Sequence, residues 1–296
     1  MKITITGATG FVGSNLKKYL QKDNQITSLS VRFNINQKIN IGGDAFIHLA
    51  GKAHDLKKVS NPADYYEANY ELTKQLFDTF ISSSASVFIF MSTVKAVADK
   101  VDGELVEDNI ADPKTHYGIA KRQAEEYILS KNIPVGKRVF ILRPCMIHGP
   151  GNKGNLNLLY NLVSKGLPWP LGGFDNKRSF LNIENLCFIV RELLDNEKIP
   201  SGVYNLADNE YISTNDLIKL IGKSIGKKNL IWNINSSFIK SFAKFGDYTK
   251  LPLNSERLQK LTENYMVSNR KICSVLQKSL PVSAEMGLKK TFESFK

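Results

Sequence analysis

"KITITGATGFVGSNLKKYL", residues 2–20, opens with β-branched residues in alternation, breaks at Gly7, and resumes with Phe11, Val12, Leu16 and Leu20 at helical spacing. It reads as a strand, a glycine turn and a helix. Gly7, Gly10 and Gly13 stand at GxxGxxG spacing between the two elements. A glycine in that setting lets the backbone approach a pyrophosphate, which then rests on the positive end of the helix dipole. The stretch therefore predicts a dinucleotide site built on Gly7, Gly10, Phe11, Val12 and Gly13.

Further strand-like runs follow at "ITSLSV", "AFIHLA", "SVFIFMS" and "RVFILRP", with helix-like segments between the later ones. Such alternation predicts an α/β fold, a Rossmann doubly wound parallel sheet covered by helices on both faces. Asn61-Pro62 reads as the cap and first position of a helix carrying Tyr65, Leu72, Leu76 and Phe80 on one side, and Asp112-Pro113 precedes the helix of "YGIAKRQAEEYIL". After about Pro150 the chain grows richer in Gly, Pro and Asn, with "GPGNKGN" and "GLPWPLGG" bracketing a helical run. The expected division is a cofactor-binding domain over residues 1–152, to which 179–205 return, and a smaller substrate-binding lobe over 153–178 and 206–296.

The 296 residues are 42% hydrophobic, enough for a substantial core, and a formal charge of +12 suits anionic ligands. No run of five or more basic residues occurs, which argues against a nucleic-acid arm. Cys145, Cys187 and Cys273 form no CxxC pair, so neither a zinc site nor a disulfide framework is indicated, and a reducing cytoplasm is expected. Met1 and Lys2 leave no room for a signal peptide, and no run approaches the roughly 20 apolar residues of a membrane span. No membrane partner is expected.

The strand "ITSLSVR" ends where an acidic residue would hold the ribose hydroxyls of NAD. Ser30 stands there, with Arg32 two residues on. A carboxylate would repel the extra phosphate of NADP, whereas serine and a guanidinium can accept it. NADP is favoured over NAD, which other contacts could still hold.

Tyr70/Lys74, Tyr117/Lys121 and Tyr127/Lys131 each place a lysine four positions after a tyrosine. A tyrosine that takes a proton from a hydroxyl must ionise far below its free pKa of about 10. One cation at about 5 Å contributes around 3 kcal/mol at an effective dielectric near 20, most of what a shift of roughly 3 units requires. The pair must also lie beside the cofactor, and in open parallel sheets ligands bind outside the carboxyl ends of the strands. "VFIFMST" leaves Ser92 and Thr93 at that edge, and Tyr117 follows near the start of the next helix. Tyr127/Lys131 lies about 15 Å further along that helix at 1.5 Å per residue. Tyr70/Lys74 belongs to the preceding crossover helix, where the neighbouring Asn69 is the functional candidate. Tyr117/Lys121 is the expected catalytic pair.

With these residues in hand, the chain resembles the extended short-chain dehydrogenases, the family of NAD(P)-dependent nucleotide-sugar epimerases, dehydratases and reductases, and most closely its short bacterial surface-polysaccharide members. "TGATGFVGSN", "FIHLAG", "YYEANYELT", "FMST", "YGIAK", "LRPCMIHGPG", "RSFLNIENL" and "YNLAD" carry the resemblance, in the family's order. It implies pyrophosphate contacts at the glycines, a backbone wall of Leu49, Ala50 and Gly51 against the cofactor, and a further cofactor contact at Pro144. It implies that Asn69 holds the crossover helix and a water, that Lys121 binds the nicotinamide ribose and tunes Tyr117, and that Thr93 orients the reacting sugar oxygen. Arg178 and Arg257 match arginines that contact the substrate's phosphates. A homodimer through the helices of Asn69 and Tyr117 is implied as well.

Two departures narrow the reading. Eleven residues between Arg32 and Asp44 are too few for the usual helix and third strand, so that region should be truncated. Val94-Lys95 follows Thr93 where the 4,6-dehydratases carry an Asp-Glu pair, so the acid and base that elimination needs are missing. Redox chemistry at sugar C4 remains, as a UDP-sugar 4-epimerase or a 4-keto-sugar reductase in surface polysaccharide synthesis. Asn157, Tyr160 and His148 are candidates for reading the substrate, His148 also being a plain packing residue by type. The alternative is a non-catalytic cofactor-sensing or RNA-binding member of the fold, which would not need the complete Tyr117/Lys121 pair.

Overall fold

The computed structural model describes residues 1–34, 36, 39–52, 61–152, 154–228, 230–249 and 254–295. The opening stretch forms β1 (Lys2–Thr6) and α1 (Phe11–Leu20), and β2 (Gln25–Leu29) returns parallel to β1. The chain then passes to the other side of β1 to form β3 (Ala45–His48). Between Leu29 and Ala45 the described residues make neither helix nor strand, as the short spacing predicts. Val31, Phe33, Ile39 and Ile41 pack there against the sheet, so side chains cover a face that a helix would otherwise cover.

A second crossover runs through α2 (Pro62–Tyr66), a π-turn (Glu67–Glu71) and α3 (Leu72–Ser82) into β4 (Val87–Met91). Asn61 caps this helix through a hydrogen bond from Ala63 N–H, with Pro62 first in the helix. After a single tight turn at Val94–Ala96 and the short β5 (Glu104–Leu105), α4 (His116–Leu129) leads to β6 (Arg138–Pro144). Then come β7 (Met146–His148), α5 (Asn155–Ser164), β8 (Phe180–Asn182), α6 (Ile183–Asp195) and β9 (Gly202–Leu206). The last part holds α7 (Thr214–Ile225), α8 (Ser236–Thr249), α9 (Ser255–Thr262), β10 (Met266–Val267), α10 (Arg270–Leu276) and α11 (Ala284–Glu293).

Six parallel strands in the order β2-β1-β3-β4-β6-β9 make the main sheet. Alternate side chains enter opposite layers: Val87, Ile89 and Met91 of β4 meet α1 and α6, while Phe88 and Phe90 meet α3 and α4. Each ring buried this way contributes about 1.5–3 kcal/mol. Since β1 connects outward to β2 and back to β3, the order reverses between β1 and β3, the place where open parallel sheets take ligands beyond their carboxyl ends. A separate cluster unites Leu156, Tyr160, Leu217, Ile239 and Phe292 from α5, α7, α8 and α11 with Trp169 from the segment after α5. Tyr265, Val267, Ile272 and Leu276 join the layer of α1 and α6. The physical cause is the apolar side of α10, which covers β9 at the sheet's edge.

Candidate functional site

The exits of β1, β3 and β4 meet in one region at the carboxyl end of the sheet. Gly7 leaves β1 with φ +67°, and a Cβ on it would stand 2.8 Å from Ala50 N and 2.9 Å from Leu49 C. A Cβ on Gly13 would meet the Gly7 carbonyl oxygen at 2.1 Å. Both glycines are thus required by close approach, of the loop to the exit of β3 and of α1 to the loop. Gly10 N–H donates to Gly7 O at 3.1 Å and Gly10 stands at the head of α1, with Phe11 and Val12 half-buried behind it. Leu49 and Ala50 line the other wall, their N–H groups donating to Thr6 Oγ1 at 3.1 Å each. Ser30 is the first residue past β2, with Arg32 two further, and Pro144 closes β6 opposite Leu206.

Tyr117 owes its place to the glycine after it. A Cβ on Gly118 would lie 2.4 Å from Lys95 O, so α4 begins in direct contact with the turn that follows Thr93. Thr115 caps the helix by accepting Gly118 N–H at 3.2 Å, and Thr93 caps the facing turn by accepting Lys95 N–H at 3.2 Å. The Tyr117 hydroxyl hydrogen-bonds with Thr93, and its ring meets Tyr65 edge-on at 6.5 Å. One turn along, Lys121 is buried, donates to Met91 O at 2.9 Å and lies 4.6 Å over the Phe90 ring.

The electrostatics differ from the expected phenolate. Burial pushes the Tyr117 phenol up to about 12, against the pull of its bond with Thr93. Burial pushes the Lys121 ammonium down to about 7, with Glu125 drawing it back. Desolvation disfavours both charges at once and outweighs the attraction that the four-residue spacing promises. The protein by itself therefore holds Tyr117 as a neutral phenol.

Asn69 sits in the π-turn, fully buried, and donates from Nδ2 to Lys52 O at 3.0 Å. Its Oδ1 has no hydrogen-bond partner among the described residues. A Cβ on Gly51 would lie 2.5 Å from that oxygen and 3.4 Å from Lys121 Nζ, so Gly51 keeps open a pocket bounded by both. The π-turn is braced from beneath. Thr73 Oγ1 donates to Asn69 O at 2.8 Å and so accepts from His48 Nε2 at 3.0 Å, which leaves His48 Nδ1 to accept from Thr6 Oγ1 at 2.8 Å. Burial and the nearby Lys121 hold the His48 pKa well below its ordinary value, as this neutral role requires. The cradle of Gly7, Gly13 and Gly51 and the free Asn69 oxygen fit an extended polar group laid across the ends of β1, β3 and β4.

A second buried network fixes α4 to the sheet. Glu125, two turns after Tyr117, receives Arg143 Nε at 2.9 Å, Arg143 Nη2 at 2.6 Å and Ser92 Oγ at 2.5 Å. Both Glu125 and Arg143 are buried, and Ser92 belongs to the same strand exit as Thr93. These residues were not read from the sequence, where an acidic residue inside "AKRQAEEY" looks like an exposed helix position.

On the other side of Thr93, Lys95 Nζ donates to Asp99 O at 2.8 Å and lies 4.4 Å over the Tyr265 ring. The positive charge of Arg178 adds to burial in lowering the Lys95 pKa, so the two cations share one neighbourhood. Arg178 Nη1 donates to Lys260 O at 2.6 Å, and Arg257 is exposed one turn earlier on α9. Other expected readers of substrate have structural employment. Tyr160 is buried in the second cluster, edge-on to Phe295 at 5.5 Å, because its helix turns that side inward. Asn157 Oδ1 accepts Gly154 N–H at 2.9 Å and closes the first turn of α5. His148 is fully buried, 2.9 Å from Thr291 Oγ1 and 3.6 Å from Asp208 Oδ2.

The model of the NAD dependent epimerase/dehydratase family matches residues 3–207. A UDP-glucose 4-epimerase of Vibrio cholerae is 31% identical over 99% of this chain and 95% of its own length. An N-acetyl-alpha-D-glucosaminyl-diphospho-ditrans,octacis-undecaprenol 4-epimerase of Escherichia coli O157:H7 is 27% identical over 76% of this chain and 73% of its own. Among solved structures, a UDP-glucuronic acid 4-epimerase of Bacillus cereus in complex with NAD superposes with a TM-score of 0.76 at 21% identity, covering 100% of this chain and 98% of the other.

Proposed function

This chain belongs to the NAD dependent epimerase/dehydratase family, and we propose that it carries out redox chemistry at C4 of a sugar joined through a diphosphate to a nucleoside. The observation that carries this reading is the Tyr117 hydroxyl hydrogen-bonded to Thr93 at the carboxyl edge of the sheet, one turn from buried Lys121. Gly7, Gly10, Gly13 and the wall of Leu49 to Gly51 would hold a nicotinamide dinucleotide. When bound, the nicotinamide supplies the two-electron donor or acceptor for C4.

Thr93 orients the C4 oxygen, and Tyr117 gives it a proton or takes one. A phenol held neutral suits donation, the direction in which a 4-keto sugar becomes an alcohol. Ser30 and Arg32 support the same direction, since they suit NADP, the cofactor of reductive synthesis. The reductase is therefore the first reading. The second is a 4-epimerase, favoured by the two 4-epimerase relatives, whose substrates are both diphosphate-linked sugars. Lys95 and Arg178 would face the diphosphate as charges, with Arg257 further out. Val94 is buried and Lys95 is bonded to Asp99, which supports neither the acid nor the base of a dehydratase.

The test is incubation of the purified protein with UDP- and dTDP-sugars and their 4-keto forms, following NADPH absorbance and product stereochemistry. Absorbance loss with the keto forms alone is expected. Interconversion without net cofactor change would transfer the conclusion to the epimerase, and absence of both reactions on every sugar would remove the reading.

A further inference from the structure

Helix α8 turns its aromatic side outward. Phe238, Phe242, Phe245 and Tyr248 are exposed by 65%, 46%, 59% and 88%, while Ile239, Ala243 and Gly246 of the same helix are buried. At about 100° per residue the four rings fill a sector of about 120° that adjoins the buried side at Phe242, and Lys240 and Lys244 border it next to Tyr248. Leu230 and Trp232, just before the helix, are also more than half exposed, at 55% and 52%. An ordinary surface helix buries its aromatic stripe. This one buries small and aliphatic residues and leaves the rings outside.

The charge of the helix and of the segment before it is one-sided. Residues 223–249 contain five lysines and one acidic residue, Asp247. Asp247 is engaged with the start of α9, accepting Ser255 N–H at 2.8 Å and Ser255 Oγ at 2.6 Å. Exposed aromatic rings bordered by unopposed lysines match an interface in which rings enter the acyl boundary and ammonium groups meet lipid phosphates. We propose that α8 lies flat on an anionic lipid surface and that the enzyme works there. A surface helix needs no run long enough to span a bilayer, which is why the sequence, read for spans, predicts no membrane partner. The inference rests on α8 alone and does not depend on the chemistry proposed at C4.

The test is co-sedimentation of the full chain with phosphatidylcholine vesicles, with and without phosphatidylglycerol, at low and at physiological ionic strength. Binding is expected only with phosphatidylglycerol present, and it weakens with salt. The triple variant Phe238→Ser, Phe242→Ser, Phe245→Ser should lower partitioning at least about tenfold, and so should Lys240→Glu with Lys244→Glu. Both variants should keep wild-type turnover on a water-soluble sugar nucleotide, a readout that separates loss of docking from failure of the C4 reading. No sedimentation of wild type with anionic vesicles at low salt would overturn the proposal, as would unchanged binding by a folded triple variant. A wild-type oligomer that the triple variant dissociates would overturn it too, by assigning the face to a second copy. Should the triple variant not fold, the lysine pair, altered only at exposed charges, decides.

Discussion

Two pairs with identical spacing, one at the head of helix α4 and one at its end, meet different surroundings. Tyr117 and Lys121 lie at its head, packed against the exits of the strands, where burial raises the phenol and lowers the ammonium. Tyr127, half-buried in the last turn, donates to Asp78 at 2.7 Å, and its hydrogen bond raises the pKa of Lys131, exposed just past the helix. Lys74 reaches over from α3, 5.1 Å from the Tyr70 ring and 5.4 Å from Tyr127, so the two pairs rejected on sequence form one surface cluster. Spacing makes contact possible, and desolvation decides what the contact does. Only the head of the helix sets its tyrosine and lysine against the exits of the strands.

The sharpest way to break this contrast is to remove one hydroxyl at a time. Tyr117→Phe should lower turnover by about 10²–10⁴, the usual weight of a positioned acid or base. Tyr127→Phe, which loses only a solvent-exposed bond to Asp78, should leave turnover unchanged. Steady-state rates on whichever sugar the wild type accepts measure both. Comparable losses in the two variants would mean that the tail pair matters through the fold, and the assignment of chemistry to the head would fall.

What made the head legible in sequence was local. Gly7 and Gly13 are needed by backbone contacts within a few residues, and Thr93 and Tyr117 each follow a recognisable break. The parallel sheet was equally open to reading, since Phe88, Phe90, Ile141 and their neighbours form continuous apolar runs that only a sheet buried on both faces accommodates. The illegible parts depend on distant partners. The π-turn that turns Asn69 inward is held by His48 and Thr73, and nothing in "YYEANYELT" distinguishes it from a regular helix. Tyr160 and Phe242 both sit at helical spacing among apolar residues, yet one is core and the other surface. The deciding neighbour in the first case is Phe295, just past the end of α11, while Phe242 stays 46% exposed.

Glu125 offers a second, smaller test, because it ties the buried side of α4 to the sheet through Arg143 and Ser92. Glu125→Gln leaves Arg143 buried without its compensating charge, a change that costs about 3–5 kcal/mol for a buried pair. The midpoint of chemical unfolding should fall accordingly. Replacing Glu126, its exposed neighbour on the same helix, should shift stability by less than about 0.5 kcal/mol. Equal effects at the two positions would show that the buried side of α4 adds nothing to what its exposed side has.

Lys121 sharpens the contrast through pH, with the smallest effect of the three. Its folded value of about 7 lies below the ordinary 10.5, so between those limits the unfolded chain holds a proton that the folded chain has released. Stability rises with pH wherever the unfolded state binds more protons. The penalty of burying this ammonium is therefore complete below about pH 7 and disappears as pH climbs toward 10.5. Relaxation around the amine reduces the penalty to roughly a few kcal/mol at most. Unfolding free energies measured from pH 7 upward should rise in the wild type relative to Lys121→Met, whose side chain carries no proton to release. Lys131→Met should run parallel to the wild type, since an exposed amine with a raised pKa stays charged throughout neutral pH in either state. If the wild type and Lys121→Met ran parallel instead, the ammonium at the head would be as well solvated as the one at the tail. Burial could not then be what separates the two pairs.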